Sequence, residues 1–189
     1  QMDNLNSPYI VEVFCYNENK NEYIMEFMDS TLHDYITKNN SSITSTQRKN
    51  ICNQILRAFI YIHDKELLHR DISPKNILLK KYDDVIVVKI ADFGLVRIPD
   101  SSLTSDNTDF KGCFNDPNLR LEGFNNYDIF HETYALTRLL FFVMTGRTNT
   151  EKVDDSKLKL FVLKGLNSDK QERFKSVQEL ADYIKKNGL

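Results

Sequence analysis

The chain has 189 residues, a formal net charge of −2, 41% apolar and 28% charged residues. That length buries a core of its own, and the near-neutral balance argues against nucleic acid or an anionic membrane as partner. No run of 18 apolar residues and no secretory pattern occurs, and Cys15, Cys52 and Cys113 are too scattered for a disulfide framework or a zinc site; they read as thiols of a cytoplasmic protein. Taken in order, Tyr9–Phe14 and Glu22–Phe27 alternate as two strands around a polar loop, Asn17–Asn21. Ser30 is placed to cap a short helix through Ile36. Thr44-Ser45-Thr46-Gln47 is a capping-box pattern, and behind it Ile51, Ile55, Ala58, Phe59 and Ile62 recur at helical spacing. His63, at the end of that helix, has no partner that the pattern names.

The stretch from Leu67 to Leu79 reads as a polar turn clamped between two apolar runs, with Asp71 and Asn76 five residues apart. Lys80–Asp84 reads as a solvated turn. The β-branched run Val87-Val88-Lys89-Ile90 then ends abruptly on Asp92-Phe93-Gly94. Two carboxylates and one amide, each at the mouth of an apolar element, form a good oxygen cage for Mg²⁺. Asp100–Asp109 is rich in Ser, Thr, Asp and Asn and reads as a loop. Glu132–Thr145 is apolar almost all round, the mark of a buried helix. Lys157–Leu166 is a further helix. Ser176-Val177-Gln178-Glu179 is a second capping box, opening a last helix that Gly188 ends. No internal repeat is present, and the start on Gln1 suggests a piece of something longer or a processed chain.

His69-Arg70-Asp71 with Asn76, followed by Asp92-Phe93-Gly94 in that order, resembles the catalytic loop and metal-binding motif of eukaryotic-type protein kinases. The resemblance implies an α+β, mainly α fold: a kinase large lobe over residues 29–189, with residues 1–28 a remnant of the small lobe made of its last two strands and the hinge. It implies Met25 as gatekeeper, Glu26 and Met28 offering backbone groups to the adenine edge, and Leu78 as the adenine floor. Asp71 would orient the acceptor hydroxyl and take its proton, and Asn76 and Asp92 would hold Mg²⁺ on ATP. Arg70, directly before Asp71, would pair with a phosphate on the loop carrying Ser101, Ser102, Thr104, Ser105 and Thr108. Ser73 stands where serine/threonine kinases carry a lysine, while Lys75 stands where tyrosine kinases often carry a cation. Both departures touch acceptor choice, and serine/threonine remains the expectation.

The capped amphipathic helix resembles helix E and the buried one helix F, whose usual opening Asp is Glu132 here. Gly112-Cys113-Phe114-Asn115-Asp116-Pro117-Asn118 resembles the substrate-docking segment, with Cys113 for its usual Thr and Asn118 for its closing Glu. Arg173, the arginine that ordinarily pairs with that Glu, then needs another acid, and Glu122 is the candidate. Too few residues separate Arg147 from Lys157 for a full helix G. The glycine-rich phosphate loop, its lysine and the helix C glutamate do not occur before Asp92. The resemblance therefore implies an ATP-dependent kinase acting on a protein substrate, with the fragment alone inactive. A truncated pseudokinase serving as a binding module is the alternative, and self-association through the exposed lobe interface is expected. A small-molecule phosphotransferase fits less well, since those relatives usually lack the glycine that is Gly94 here.

Overall fold

The computed structural model describes residues 7–17, 20, 22–83, 85–92 and 114–189. Asp100–Asp109, Phe93, Gly94, Gly112 and Cys113, all singled out above, lie outside the described residues. Strands β1 (Val13–Asn17) and β2 (Glu22–Met25) form an antiparallel hairpin, with an irregularity between Val13 and Cys15. The first strand begins later and runs further than its alternation suggests. Tyr9–Val11 instead turns inward and pairs elsewhere: Val11 N–H donates to Ile90 O (3.0 Å) and Ile90 N–H to Tyr9 O (2.8 Å). Ile10 and Val11 are buried by this, so apolar burial overrides the hairpin register that local pattern favours.

A second sheet has the order β3-β4-β5, all antiparallel: β3 (Ser30–Thr31), β4 (Ile77–Tyr82) and β5 (Val85–Ile90). Lys80 and Lys81 thus belong to a strand and not to a turn. Nor are they simply solvated. Lys80 Nζ donates to Phe27 O (3.2 Å), and Lys81 Nζ lies 5.0 Å from the centre of the Tyr35 ring.

Helix α1 (Leu32–Asn39) is capped by Thr31, whose Oγ1 accepts from Asp34 N–H (3.0 Å); Ser30 sits one residue early, in β3. Helix α2 (Ser45–Asp64) opens with the reciprocal Thr44–Gln47 capping box and buries Ile51, Cys52, Ile55, Leu56, Ala58, Phe59 and Ile62. That stripe faces helix α4 (Ile129–Thr145), in which eleven of 17 residues are buried, so it forms the central post. Each fully buried Leu or Phe there contributes roughly 1.5–3 kcal/mol by leaving water. Asp128 caps α4, which begins at Ile129, three residues ahead of the expected start, and Gly146 ends it at φ 72°, where a Cβ would lie 2.2 Å from Asn40 Oδ1.

The short helix α3 (Leu119–Glu122) precedes α4, and no helix separates α4 from α5 (Ser156–Gly165), as the shortness of that segment implies. Helix α6 (Val177–Asn187) is capped by Ser176 and ends on Gly188 in the left-handed region. Its capping box is half made: the Glu179 carboxylate accepts from Lys175 N–H (2.8 Å) and pairs with Lys164 instead of returning to Ser176. Among the described residues, no helix is long and apolar enough to cross a membrane.

Candidate active site

Helix α2 delivers the chain to the loop at residues 67–76. Ile72, fully buried, nails the loop to the core, and His33 N–H holds its far side through Pro74 O (2.9 Å). The near side hangs on Glu132, a fully buried carboxylate in the first turn of α4. Its Oε1 accepts from His69 N–H (2.7 Å) and its Oε2 from Arg70 N–H (3.2 Å) and Tyr127 O–H (2.6 Å). The longer glutamate thus reaches the loop backbone as expected of it. Burial alone would raise its pKa, but the hydrogen bond and charge of His63, the nearby His69 and the Tyr127 hydroxyl outweigh that, and the net displacement is downward. His63 was the histidine without a nameable partner; its Nε2 lies 3.4 Å from Glu132 Oε1.

The loop is wound tightly. Arg70 sits at φ 69° and Asp92 at φ 62°, a region that non-glycine residues rarely occupy. Such positions cost of order 1–3 kcal/mol each and persist only where surroundings over-determine them. Here the bonds to Glu132 hold Arg70. His69 ties the two motifs together: its Nε2–H donates to Ala91 O (2.9 Å), which fixes the neutral tautomer, and its Nδ1 accepts from Asp71 N–H (3.3 Å).

Asn76 makes the second tie. Its Nδ2 donates to Asp71 O (2.8 Å) and to Asp71 Oδ2 (3.1 Å), while its backbone carbonyl accepts from Ala91 N–H (2.9 Å). Asp92 follows directly. Asp71, Asn76 and Asp92 therefore sit on one rigid junction between the loop, β4 and the end of β5. With Nδ2 turned to Asp71, the Asn76 side-chain oxygen points away from that contact. An amide oxygen and the Asp92 carboxylate are hard donors of the kind Mg²⁺ takes, leaving positions for water and phosphate oxygens. The donor set fits that ion, and a transition-metal site is not indicated: among the described residues no group of three His, Cys, Asp or Glu converges.

Ser73 is buried and its Oγ accepts from Lys75 N–H (3.2 Å), so it shapes the turn, while Lys75 is exposed beside it. Residues 25–31 meet the same junction from the other side. Asp29 N–H donates to Leu79 O (2.9 Å), and Thr31 pairs with Leu78, whose other neighbour is Lys89. Lys89 Nζ forms an ion pair with Glu26, and Glu26 Oε1 also accepts from Glu12 N–H (2.9 Å). Glu26 N–H is taken by Glu12 O (3.0 Å), so of its backbone only the carbonyl remains to offer. Met28 and Leu78 are half-buried and Met25 is exposed at the same edge.

Arg70 was expected to await a phosphate. Its guanidinium, 1% exposed, donates to Phe124 O (2.7 Å) and stacks 4.2 Å over the Phe124 ring. The acid for Arg173 is Asp116, not Glu122. Arg173 Nη1 donates to Asp116 Oδ2 (2.6 Å), its Nε to Asn167 O (2.6 Å), and its guanidinium lies 4.8 Å from the Tyr134 ring. Glu122 is committed to Lys170, and His131 Nε2 lies 3.3 Å from the same carboxylate without a hydrogen bond to it. His63, Tyr127, Asp116 and Lys89 are the contributors that sequence reasoning missed.

The family model for the protein kinase domain matches residues 1–186. The chain belongs to the protein kinase family. It is 34% identical over 116 residues to the carbon catabolite-derepressing protein kinase of Candida glabrata, covering 60% of this chain and 18% of that one. It is 36% identical over 100 residues to the serine/threonine-protein kinase RAD53 of Saccharomyces cerevisiae, covering 51% of this chain and 12% of that one. The chain thus spans under a fifth of the length of these relatives. Among solved structures, the Rad53 kinase domain with SCD2 superposes with a TM-score of 0.73 at 22% identity, covering 97% of this chain and 70% of that one. The same domain in complex with AMPPNP gives 0.71 at 21% identity, covering 97% and 74%. At those identities the likeness establishes the fold: a kinase fold, mainly helical, with few strands.

Proposed function

We propose that this domain transfers the γ-phosphate of ATP to a serine or threonine hydroxyl of a protein substrate. The observation that carries the reading is the junction at which Asn76 holds Asp71 through two hydrogen bonds and backbone contact places Asp92 alongside. Phosphoryl transfer asks mainly for positioning and charge neutralisation, and this arrangement supplies both. Asp71 orients the acceptor hydroxyl and takes its proton. Asn76 and Asp92 hold Mg²⁺, which neutralises the phosphate charge. Lys75, exposed beside the turn, would meet the γ-phosphate, and Ser73 sets the turn that carries it. The Glu26 carbonyl and Met28 face the adenine edge beside Met25, with Leu78 beneath. The serine/threonine assignment is supported by the relatives, among them RAD53, named a serine/threonine-protein kinase.

A second reading has its own support. Phe14, Ile24, Met25 and Phe27 expose apolar surface at the hairpin edge. A pseudokinase that associates with itself or another protein through that edge fits those features. The decisive measurement is transfer from radiolabelled ATP with Mg²⁺, using Asp71→Ala as the blank. Transfer that disappears in the variant supports the enzyme. Transfer that survives Asp71→Ala overturns the site, and no transfer together with no Mg²⁺-dependent nucleotide binding in calorimetry leaves the binding module as the reading.

A further inference from the structure

Resting on the kinase reading, we propose that Phe124 and Tyr127 are positioning residues for the catalytic loop: a built-in aromatic clamp that holds Arg70 without a phosphate on the loop that precedes it. Gly123, at φ 83°, turns the chain after α3 so that Phe124–Asn126 forms one tight turn ending on Tyr127. This turn grips the catalytic loop at two points. Phe124 receives the Arg70 side chain on its ring (4.2 Å) and on its carbonyl (2.7 Å). Tyr127 donates its hydroxyl to Glu132 Oε2 (2.6 Å), the oxygen that also receives Arg70 N–H, and its ring lies 5.8 Å from the same guanidinium.

Both ends of Arg70 are therefore set by one five-residue stretch. Among the described residues the side chain meets a carbonyl and two aromatic faces, and a desolvated cation over an aromatic ring is well stabilised. The backbone, in its strained left-handed geometry, is locked by a carboxylate that Tyr127 orients. The Tyr127 hydroxyl keeps its proton, because burial and the neighbouring Glu132 charge both raise its pKa, so it remains a donor. Behind it the ring stacks on His131 at 5.3 Å, and His131 is itself held by its Nδ1, which accepts from Asp128 N–H (3.0 Å), so the tyrosine ring packs on a fixed face. A phosphate entering here would have to displace the Phe124 contacts from a guanidinium that is 1% exposed.

The test separates clamp from phosphate and from mere packing. Three variants of the full chain are compared: Tyr127→Phe, Phe124→Leu, and one with Ser101, Ser102, Thr104, Ser105 and Thr108 all changed to Ala. Amide hydrogen exchange at His69 and Arg70 is read alongside kcat and KM for a degenerate serine/threonine peptide library with MgATP. Tyr127→Phe and Phe124→Leu are expected to speed exchange at those amides and lower kcat by about tenfold or more, the scale of one hydrogen bond to a charged group, with KM little changed. The five-alanine variant is expected to match the parent in both. Unchanged exchange in Tyr127→Phe and Phe124→Leu, or a tenfold loss of kcat in the five-alanine variant, overturns the clamp. Where turnover of the chain is too slow to measure, as expected without a glycine-rich loop, hydrogen exchange alone decides the clamp, and the kinase reading is tested separately by Mg²⁺-dependent nucleotide binding.

Discussion

Asp116→Asn isolates the ion pair that ties the turn before α3 to Arg173. Asp116 and Arg173 have side chains 2% and 1% exposed, and their atoms meet at 2.6 Å. Removing one partner of a buried pair costs about 3–5 kcal/mol, because the remaining charge stays desolvated. Arg173 keeps its bond to Asn167 O and its place over Tyr134, and Asn118 N–H keeps an acceptor at position 116. The loss therefore belongs at the low end, about 3 kcal/mol. For a chain of this size that lowers Tm by about 6–12 °C. Thermal unfolding followed by circular dichroism reads it, with Glu122→Gln as comparison. Glu122 is a third exposed, and its pairing with Lys170 contributes at most about 1 kcal/mol after solvent screening. Adding Asn118→Glu to Asp116→Asn returns a carboxylate two residues away and should recover part of the loss. A fall below 2 °C in Asp116→Asn, or an equal fall in Glu122→Gln, would refute the assignment of Asp116 as the counter-charge.

Glu132→Gln should destabilise by about 2 kcal/mol or more, since an amide presents a donor where His69, Arg70 and Tyr127 already donate. Because Glu132 titrates below its usual value when folded, its contribution is present above that value and is lost as pH falls through the depressed one. Urea midpoints measured from pH 7 downward should thus show a shallower acid decline in Glu132→Gln than in the parent. Asp92→Ala should weaken Mg²⁺-dependent nucleotide binding in calorimetry, whereas Asp71→Ala should leave it largely unchanged while abolishing transfer. The 189-residue chain alone should fold, as a single cooperative transition in circular dichroism, yet turn over far below an ordinary kinase, since without the glycine loop and its lysine several preorganised donors, each worth about 10²–10³ in rate, are missing.

The helices were legible because their caps and stripes are local. Thr44–Gln47, the apolar face of α2 and the all-round burial of α4 are each written within one segment. The error at α1, Ser30 for Thr31, arose because both residues cap well; β4 pairs with both, Ser30 with Leu79 and Thr31 with Leu78, and so sets where the strand ends and the helix begins. The hairpin drifted for a similar reason: Tyr9–Val11 alternates like a strand continuing into β1, but Ile90 claims it. In both cases a distant strand outvoted a sound local signal.

The charges show the sharper limit. A carboxylate's partner is chosen by geometry across tens of residues, and the sequence records only that acids are available. Glu132 was readable because a position within the family pattern fixed its role, and one extra methylene let a single carboxylate serve His69, Arg70 and Tyr127. Arg173 had no such guide once position 118 became Asn. Glu122 and Asp116 lie on either side of that position, and nothing in composition ranks them. Burial does: at 1% exposed, Arg173 needs an acid that follows it out of water, and Asp116 is as buried as it is, while Glu122 stays a third exposed. Matched desolvation therefore selects the partner, because a half-solvated carboxylate leaves the guanidinium's own desolvation uncompensated.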